Sequence, residues 1–153
     1  MLVKKRNRYY CEFCKKANCS GASISKHEKR CTKNPNRICG MCKLFDNKQQ
    51  PIEILLAILP DPKKLVGNAN EIIGHDILII DENWSKAEIE LKNALLILRD
   101  VSGNCPACIM AAMRQKGIPI PLINTLGFDF SKESKEVWTK FNDSQLEDER
   151  YYL

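Results

Sequence analysis

The placement of the cysteines is the feature that most constrains how this chain can fold. Of the eight cysteines, six form three pairs in which two residues separate the partners: Cys11 and Cys14, Cys39 and Cys42, Cys105 and Cys108. His27 and Cys31 form a fourth pair, four positions apart. No apolar signal segment adjoins the charged Lys4-Lys5-Arg6 run, so we expect a reducing, cytoplasmic location, or a nuclear one in a eukaryote. Paired cysteines there are more often metal ligands than disulfides.

The first set of candidate ligands has the spacing C-x2-C-x12-H-x3-C. A tight turn between Cys11 and Cys14 presents two thiolates, while His27 and Cys31 share one helix face, so the four can close a tetrahedron around Zn²⁺. The alternative is four ordinary buried residues. A segment of about 25 residues cannot fold alone, because it buries too little surface. Zinc binding is therefore expected to supply its folding energy.

Residues 8–33 resemble the two-Cys-two-His zinc finger family, in the variant whose last ligand is Cys. The Tyr9-Tyr10 pair precedes the first Cys as aromatic strand residues do in that family. Ile24, three residues before His27, matches the position of the family's buried helix aliphatic. The resemblance implies a ββα unit around one zinc ion.

Two residues inside this segment fall outside the family pattern. Asn18 occupies the position where the family has a buried aromatic residue, so the small core must be rebuilt, with Phe13 as the candidate. Cys19 lies between the ligands at no ligand spacing, and we expect a thiol outside the metal site, with competition with Cys14 for the metal as the alternative. The Asn18 departure concerns the packing of the hairpin and not the metal.

The remaining two pairs, Cys39-Gly40-Met41-Cys42 and Cys105-Pro106-Ala107-Cys108, form a complete four-cysteine set. Gly40 permits a knuckle turn, and Pro106 suits the first position of a helix. This order resembles the treble-clef zinc modules, with their short hairpin replaced by a long helical insertion, and the composition is similar to that of small zinc proteins of bacterial viruses. Two independent redox or buried pairs are the alternative, although no βαβ pattern accompanies them. The sequence thus predicts two Zn²⁺ per chain, both structural, since four protein ligands leave no open position.

Beyond Pro51 the apolar residues recur at helical spacing. Helices are predicted over 52–59, 63–73, 86–99 after the cap Ser85, and 106–116 before the terminator Gly117. The stretch 76–80 could be a strand or a helical turn, and 118–121 is predicted to be extended. Ser131 is predicted to cap a last helix with Val137, Trp138 and Phe141 on its buried face, followed by a polar tail over 143–150.

These patterns predict a mainly α, small zinc-stapled α+β fold. Its N-terminal part, residues 1–36, is the basic ββα zinc finger segment. Residues 37–153 form a helical domain closed by the four-cysteine zinc site. The strongest helical stripe in that domain consists of Leu91, Ala94, Leu95 and Leu98.

Charge is distributed unevenly along the chain. Residues 1–43 contain 12 Lys or Arg and 2 acidic residues, whereas the remainder contains 12 basic and 17 acidic residues, so the net charges are +10 and −5. Such asymmetry is typical of a polyanion-binding segment. The expected nucleic-acid contacts are Lys4, Lys5, Arg6, Arg8, Lys15, Lys16, Ser23, Lys26, Lys29, Arg30, Lys33 and Arg37.

Two functions from different classes are consistent with this organisation. The first is a nucleic-acid-binding or regulatory protein, DNA or RNA, with weak sequence specificity. The finger resemblance implies that small side chains face the bases, together with one lysine: Ser20, Ala22, Ser23 and Lys26. The alternative is a protein–protein interaction module, such as a viral protein that acts on host machinery, in which zinc is purely structural.

An enzyme is the least favoured function. His27 is assigned to zinc, and the neighbours His75 and Asp76 point apart in most conformations, so they do not predict a base with its orienting residue. The sequence contains no Gly-rich phosphate loop, nucleophile elbow or acidic cluster suited to Mg²⁺. No window approaches the roughly 20 apolar residues of a membrane-spanning helix, so we expect no membrane association.

Overall fold

The computed structural model describes residues 6–62 and 82–150. In chain order the elements are β1 (Tyr9–Tyr10), β2 (Ala17–Asn18), α1 (Gly21–Glu28), α2 (Gly40–Leu44), α3 (Ile52–Ile58), α4 (Glu82–Val101), α5 (Pro106–Lys116), α6 (Ile120–Thr125) and α7 (Phe130–Arg150). The fold is mostly helical with one small antiparallel sheet, which confirms the predicted class. The predicted helix 63–73, the open assignment at 76–80 and the His75-Asp76 pair lie outside the described residues.

The finger, residues 8–33, has the ββα arrangement that its resemblance implies. Strands β1 and β2 pair antiparallel, with Tyr9 opposite Asn18 and Tyr10 opposite Ala17. Ser20 then caps α1, because its Oγ accepts a hydrogen bond from the Ser23 amide at 3.3 Å.

The core of the finger is smaller than predicted. Its buried residues are Cys11, Ile24 and Cys31, whereas Phe13 is 37% exposed, so the prediction that Phe13 rebuilds the core is wrong. Tyr9 instead covers the start of α1: a β-carbon at Gly21 would lie 3.3 Å from its ring. Because one aliphatic residue contributes little hydrophobic stabilisation, the finger depends on its metal ligands.

The helical body, α3 to α7, packs around one hydrophobic core. Its largest fully buried side chains come from α3, α4, α5 and α6: Leu55, Leu91, Leu98, Ile109, Met113, Leu122 and Ile123. The predicted stripe of α4 is confirmed, because all four of its apolar residues are buried. Helix α5 also begins at Pro106 and ends before Gly117, as predicted. Within residues 6–62 and 82–150, no helix is long and apolar enough to cross a membrane.

Several boundaries differ from the predictions. Helix α4 begins at Glu82, so Ser85 lies inside it and does not cap it. Part of the 118–121 stretch, predicted to be extended, belongs to α6, which begins at Ile120. Pro119, the residue before the helix, has an extended backbone with φ −61° and ψ 135°. The second proline, Pro121, is near the helix start, where a missing amide hydrogen costs nothing.

The last helix is longer than predicted at both ends. It begins at Phe130, because the Asp129 carboxylate accepts the Lys132 amide at 3.0 Å and caps the first turn in place of Ser131. It continues to Arg150, so the predicted polar tail is helical. The predicted buried face is only partly covered, since Trp138 is 47% exposed.

Hydrogen bonds tie the finger to the helical body. The Gln115 side-chain amide donates to the carbonyl oxygens of Thr32 at 2.9 Å and Asn34 at 3.0 Å. Arg114 donates to the Thr32 hydroxyl at 3.1 Å. These contacts anchor the end of the finger on the C-terminal part of α5.

Candidate metal centres

The first centre brings together the predicted Cys11, Cys14, His27 and Cys31. Their ligand atoms all lie within 4.8 Å of one another, and the Cys14 Sγ is 3.1 Å from the His27 Nε2. The β1–β2 turn supplies the first two ligands, the last turn of α1 supplies His27, and Cys31 follows the helix. Cys11 and Cys31 are buried, whereas the other two are half-buried.

The thiols of this centre differ in acidity. Burial raises the pKa of Cys14, but hydrogen bonds with the Lys16 backbone and with His27 outweigh that effect and lower it to about 6. Burial raises the pKa of Cys31 to about 11. Near neutral pH Cys31 therefore requires a cation at the centre to become a thiolate, whereas Cys14 ionises more readily.

The second centre joins the two remaining pairs at the starts of two helices. Cys39 immediately precedes α2 with φ −80° and ψ 110°, and Cys105 precedes α5 with φ −74° and ψ 108°. Cys42 and Cys108 lie in the first turns. The first pair is therefore helix-borne like the second, because Gly40 begins α2. The Cys42 amide donates to the Cys39 Sγ at 3.5 Å, the amide-to-sulfur contact expected of the knuckle turn at Gly40. Helix N-termini favour thiolates through their partial positive charge.

The four sulfurs form one cluster and not two separate pairs. Sγ atoms of Cys39 and Cys105 are 3.5 Å apart, and those of Cys42 and Cys108 are 3.6 Å apart. All four residues are buried free cysteines. Zinc–sulfur bonds of about 2.3 Å in a tetrahedron place the sulfurs about 3.8 Å apart, close to these distances. The two centres, each with four ligands, fit two zinc ions per chain.

Hydrogen bonds among the four thiols lower the pKa of two of them and raise the pKa of the other two. The hydrogen bond with Cys105 is the chief cause that lowers the pKa of Cys39 and of Cys108. The same network raises the pKa of Cys42, chiefly through Cys105, and raises that of Cys105, chiefly through Cys108. Bound zinc stabilises the thiolate form of all four.

Arg37 belongs to this second centre. Its side chain is 6% exposed, and its Nη1 donates to the Cys108 Sγ at 3.6 Å. Burial lowers the pKa of Arg37, but the nearby Cys39 and Cys108 outweigh it and raise the pKa above its ordinary value. The guanidinium therefore places a permanent positive charge beside the thiolates. Among the described residues predicted to contact phosphate, Arg37 is the buried one, and its contact with phosphate stays a prediction.

Gln49 fixes the backbone around Arg37 and Cys39. Its side-chain nitrogen donates to the Arg37 carbonyl oxygen at 2.9 Å, and its side-chain oxygen accepts the Cys39 amide at 2.6 Å. Sequence reasoning missed the roles of Arg37 and Gln49 beside the second centre. One signal was present, because Arg37 lies two residues before Cys39, and a buried cluster of thiolates requires a compensating cation.

The other predicted nucleic-acid contacts lie on the surface of the N-terminal segment. We define the basic face as its exposed cations, Arg6, Arg8, Lys15, Lys16, Lys26, Lys29, Arg30 and Lys33. Ser23 is exposed beside them, whereas Lys4 and Lys5 lie outside the described residues. In the described part of the chain the two ion pairs, Lys92–Glu88 and Arg99–Glu133, both belong to the helical body.

The two acidic residues, Glu12 and Glu28, leave residues 1–43 with a net charge of +10. The Glu28 carboxylate accepts a hydrogen bond from the backbone amide of Glu12 at 2.9 Å, which orients the carboxylate toward the β1–β2 turn.

Cys19 is exposed and belongs to neither metal cluster.

Comparison with protein-family models, with curated proteins and with solved structures finds no match to this chain.

Proposed function

We propose that this protein binds nucleic acid through the basic face of its zinc finger, with weak sequence specificity and with zinc in a structural role. The observation that carries the proposal is the set of exposed cations on a segment of net charge +10, without ion-pair partners among the described residues. Cations that neutralise phosphates release counterions from the nucleic acid, which drives association. The helical body, with its opposite net charge, contributes no such attraction.

The exposed side of α1 supports weak specificity. Ser20, Ala22, Ser23 and Lys26 are all exposed there. Three of the four side chains are too short to make bidentate contacts with a base edge, and one finger covers about three base pairs. Phosphate contacts then supply most of the affinity.

Zinc in both centres serves the fold in this proposal. Each centre has four protein ligands, so no coordination position is left for a substrate. The ion in the first centre stabilises the finger that displays the basic face. The ion in the second centre links α2 to α5 and thereby fixes the finger on the helical body.

Fluorescence anisotropy with short duplex and single-stranded DNA and RNA tests the proposal. We expect binding at low salt, with an affinity that falls linearly with the logarithm of the salt concentration. Substitution of Lys26 and Lys29 by glutamate should weaken binding to every sequence and lower the salt slope. The same charge reversal at Lys86 and Lys135, exposed cations of the helical body, serves as the control. Absence of binding at low salt contradicts the proposal.

A second candidate is an interaction module for another protein, including a viral protein that acts on host machinery. The observation that favours it is an exposed apolar face of α4, formed by Ile89, Leu96 and Ile97, of which Leu96 is 67% exposed. Purification from a nuclease-treated lysate separates the two candidates. A stoichiometric protein that remains bound favours the second, and loss of every partner favours the first.

A further inference from the structure

A groove lies between the N-terminal segment, α2 and the last helix. It has a volume of about 640 Å³. Met41, Leu44, Trp138 and Phe141 are among its apolar lining residues. The groove borders the second zinc centre but contains none of its ligands.

The apolar side of the groove presents aromatic rings to the solvent. Trp138 is 47% exposed, although a buried indole would contribute more to folding. Phe141 meets it edge to face, with ring centroids 6.2 Å apart, and Phe45 packs edge to face on Phe141 at 5.9 Å. These edge contacts hold the rings in place and leave part of the indole uncovered.

The charged residues that line the groove are all cationic: Arg30, Arg37 and Lys43. Arg37 is turned toward Cys108, so the two exposed cations are available to a ligand. Arg30 is also part of the basic face, and a β-carbon at Gly40 would lie 3.9 Å from its Cζ. The basic face therefore continues into the groove, over the start of α2.

We propose that this groove receives an unpaired base of a single-stranded nucleic acid, stacked on Trp138 while Arg30 and Lys43 contact the flanking phosphates. The inference rests on the proposed nucleic-acid binding and specifies its substrate class. Aromatic side chains that stack bases beside a cationic track are the recurrent means of single-strand recognition. The bases of a duplex stack on each other and cannot enter, so the groove confers a preference for single strands. The continuity of the groove with the basic face through Arg30 favours a nucleic acid over an acidic amphipathic peptide.

Anisotropy with a labelled single strand and with the matching duplex tests the groove. Trp138→Ala should weaken single-strand binding about tenfold and leave duplex binding unchanged, while Trp138→Phe should retain most of the affinity. Leu96→Ala, which also removes an exposed apolar side chain from a helix, is the matched control. Lys43→Gln should weaken single-strand binding severalfold, in contrast to Lys86→Gln. A content of two zinc ions per chain verifies that each variant is folded.

Fluorescence provides a direct readout of stacking. The chain contains two tryptophans, so Trp84→Phe leaves Trp138 as the only source of tryptophan fluorescence. We expect a single-stranded oligonucleotide to quench its emission at saturation and a duplex to quench it little.

The outcomes separate the groove from the basic face. If wild-type protein binds both nucleic acids and Trp138→Ala binds the single strand equally well, the groove inference is overturned and the proposed function remains. If wild-type protein binds neither at low salt, both are overturned. If Trp138→Ala instead weakens only the binding of an acidic helical peptide, the groove belongs to a protein partner and the inference is also overturned.

Discussion

Arg37 is the residue whose role changes most between sequence and structure. The sequence places it among the basic residues of the N-terminal segment, whereas in the fold it is buried beside a thiolate 71 positions away. The eight ligands were predictable because local spacings such as C-x2-C place two ligands at the distance that a tetrahedral site requires. The environment of Arg37 was not predictable from the sequence, because its burial depends on where α5 packs.

Removal of the Arg37 charge should weaken the second zinc centre. Four thiolates and one Zn²⁺ leave a net negative charge in a buried site, and Arg37→Met removes the nearest compensating cation. We expect about 10- to 100-fold weaker zinc binding at this centre, measured by competition with a chromophoric chelator. Arg37→Lys should lose less, because it keeps the charge.

The matched control for this experiment is Arg30→Met, which removes an exposed cation close to the start of α2. It should leave both zinc affinities unchanged. Equal zinc affinity in wild type and Arg37→Met would show that the guanidinium does not stabilise the bound ion.

Zinc binding at the second centre should depend on pH. The raised pKa values of Cys42 and Cys105 mean that both keep their protons at neutral pH in the absence of metal. Zinc has to displace those protons, so zinc affinity should fall as the pH falls. Cys39 has a lowered pKa and therefore contributes no proton to this release at neutral pH. Cys11→Ser removes a ligand of the first centre, so zinc binding to this variant reports the second centre. Calorimetry of zinc binding to Cys11→Ser in two buffers of different ionisation enthalpy measures the number of protons released. Identical heats in both buffers would contradict it.

Among the elements, α5 was predicted most completely. A proline at its first position and a glycine after its last are strong local signals, and both determine its ends in the structure. The last helix shows where such signals fail, because Asp129 and Ser131 are both good caps two residues apart. Only the hydrogen bond from the Lys132 backbone amide to the Asp129 carboxylate decides between them. The cover over Trp138 was also unpredictable, because it depends on how α2 and α7 pack.

Gly117→Ala should destabilise the fold through the end of α5. Gly117 has a φ of +83°, and among residues 6–62 and 82–150 its missing β-carbon would meet only Pro62 Cγ at 3.9 Å, so we attribute the effect to backbone strain. We expect a loss of about 1 kcal/mol in the free energy of unfolding, measured with urea. Gly40→Ala is the control, since Gly40 lies within a helix and alanine there should be neutral or stabilising. A larger loss at Gly40 than at Gly117 would reverse this account of α5.

At the scale of the whole molecule, the two zinc centres contribute differently to stability. The finger buries one aliphatic residue besides its ligands, whereas the helical body has a continuous hydrophobic core. Removal of zinc by a chelator should therefore abolish hydrogen-exchange protection in α1 and retain protection of α4 around Leu91. Equal loss of protection in both helices would show that the body has no stability of its own.

The division of charge is also a property of the whole chain. The formal charge of +5 combines a basic N-terminal segment with an acidic helical body. The sequence predicted this asymmetry directly, because charge follows from composition. It could not predict that the basic face leads into an aromatic groove, since Arg30 and Trp138 lie more than 100 positions apart and meet only in the folded chain.

We expect each chain to bind two zinc ions in two separate four-ligand centres. Metal content of the purified protein by mass spectrometry tests it, with Cys11→Ser and Cys105→Ser as the variants and Cys19→Ser as the control outside both clusters. The account predicts two zinc ions for wild type and for Cys19→Ser, and one for each of the other two. One zinc ion in wild type, or two in Cys105→Ser, would contradict it.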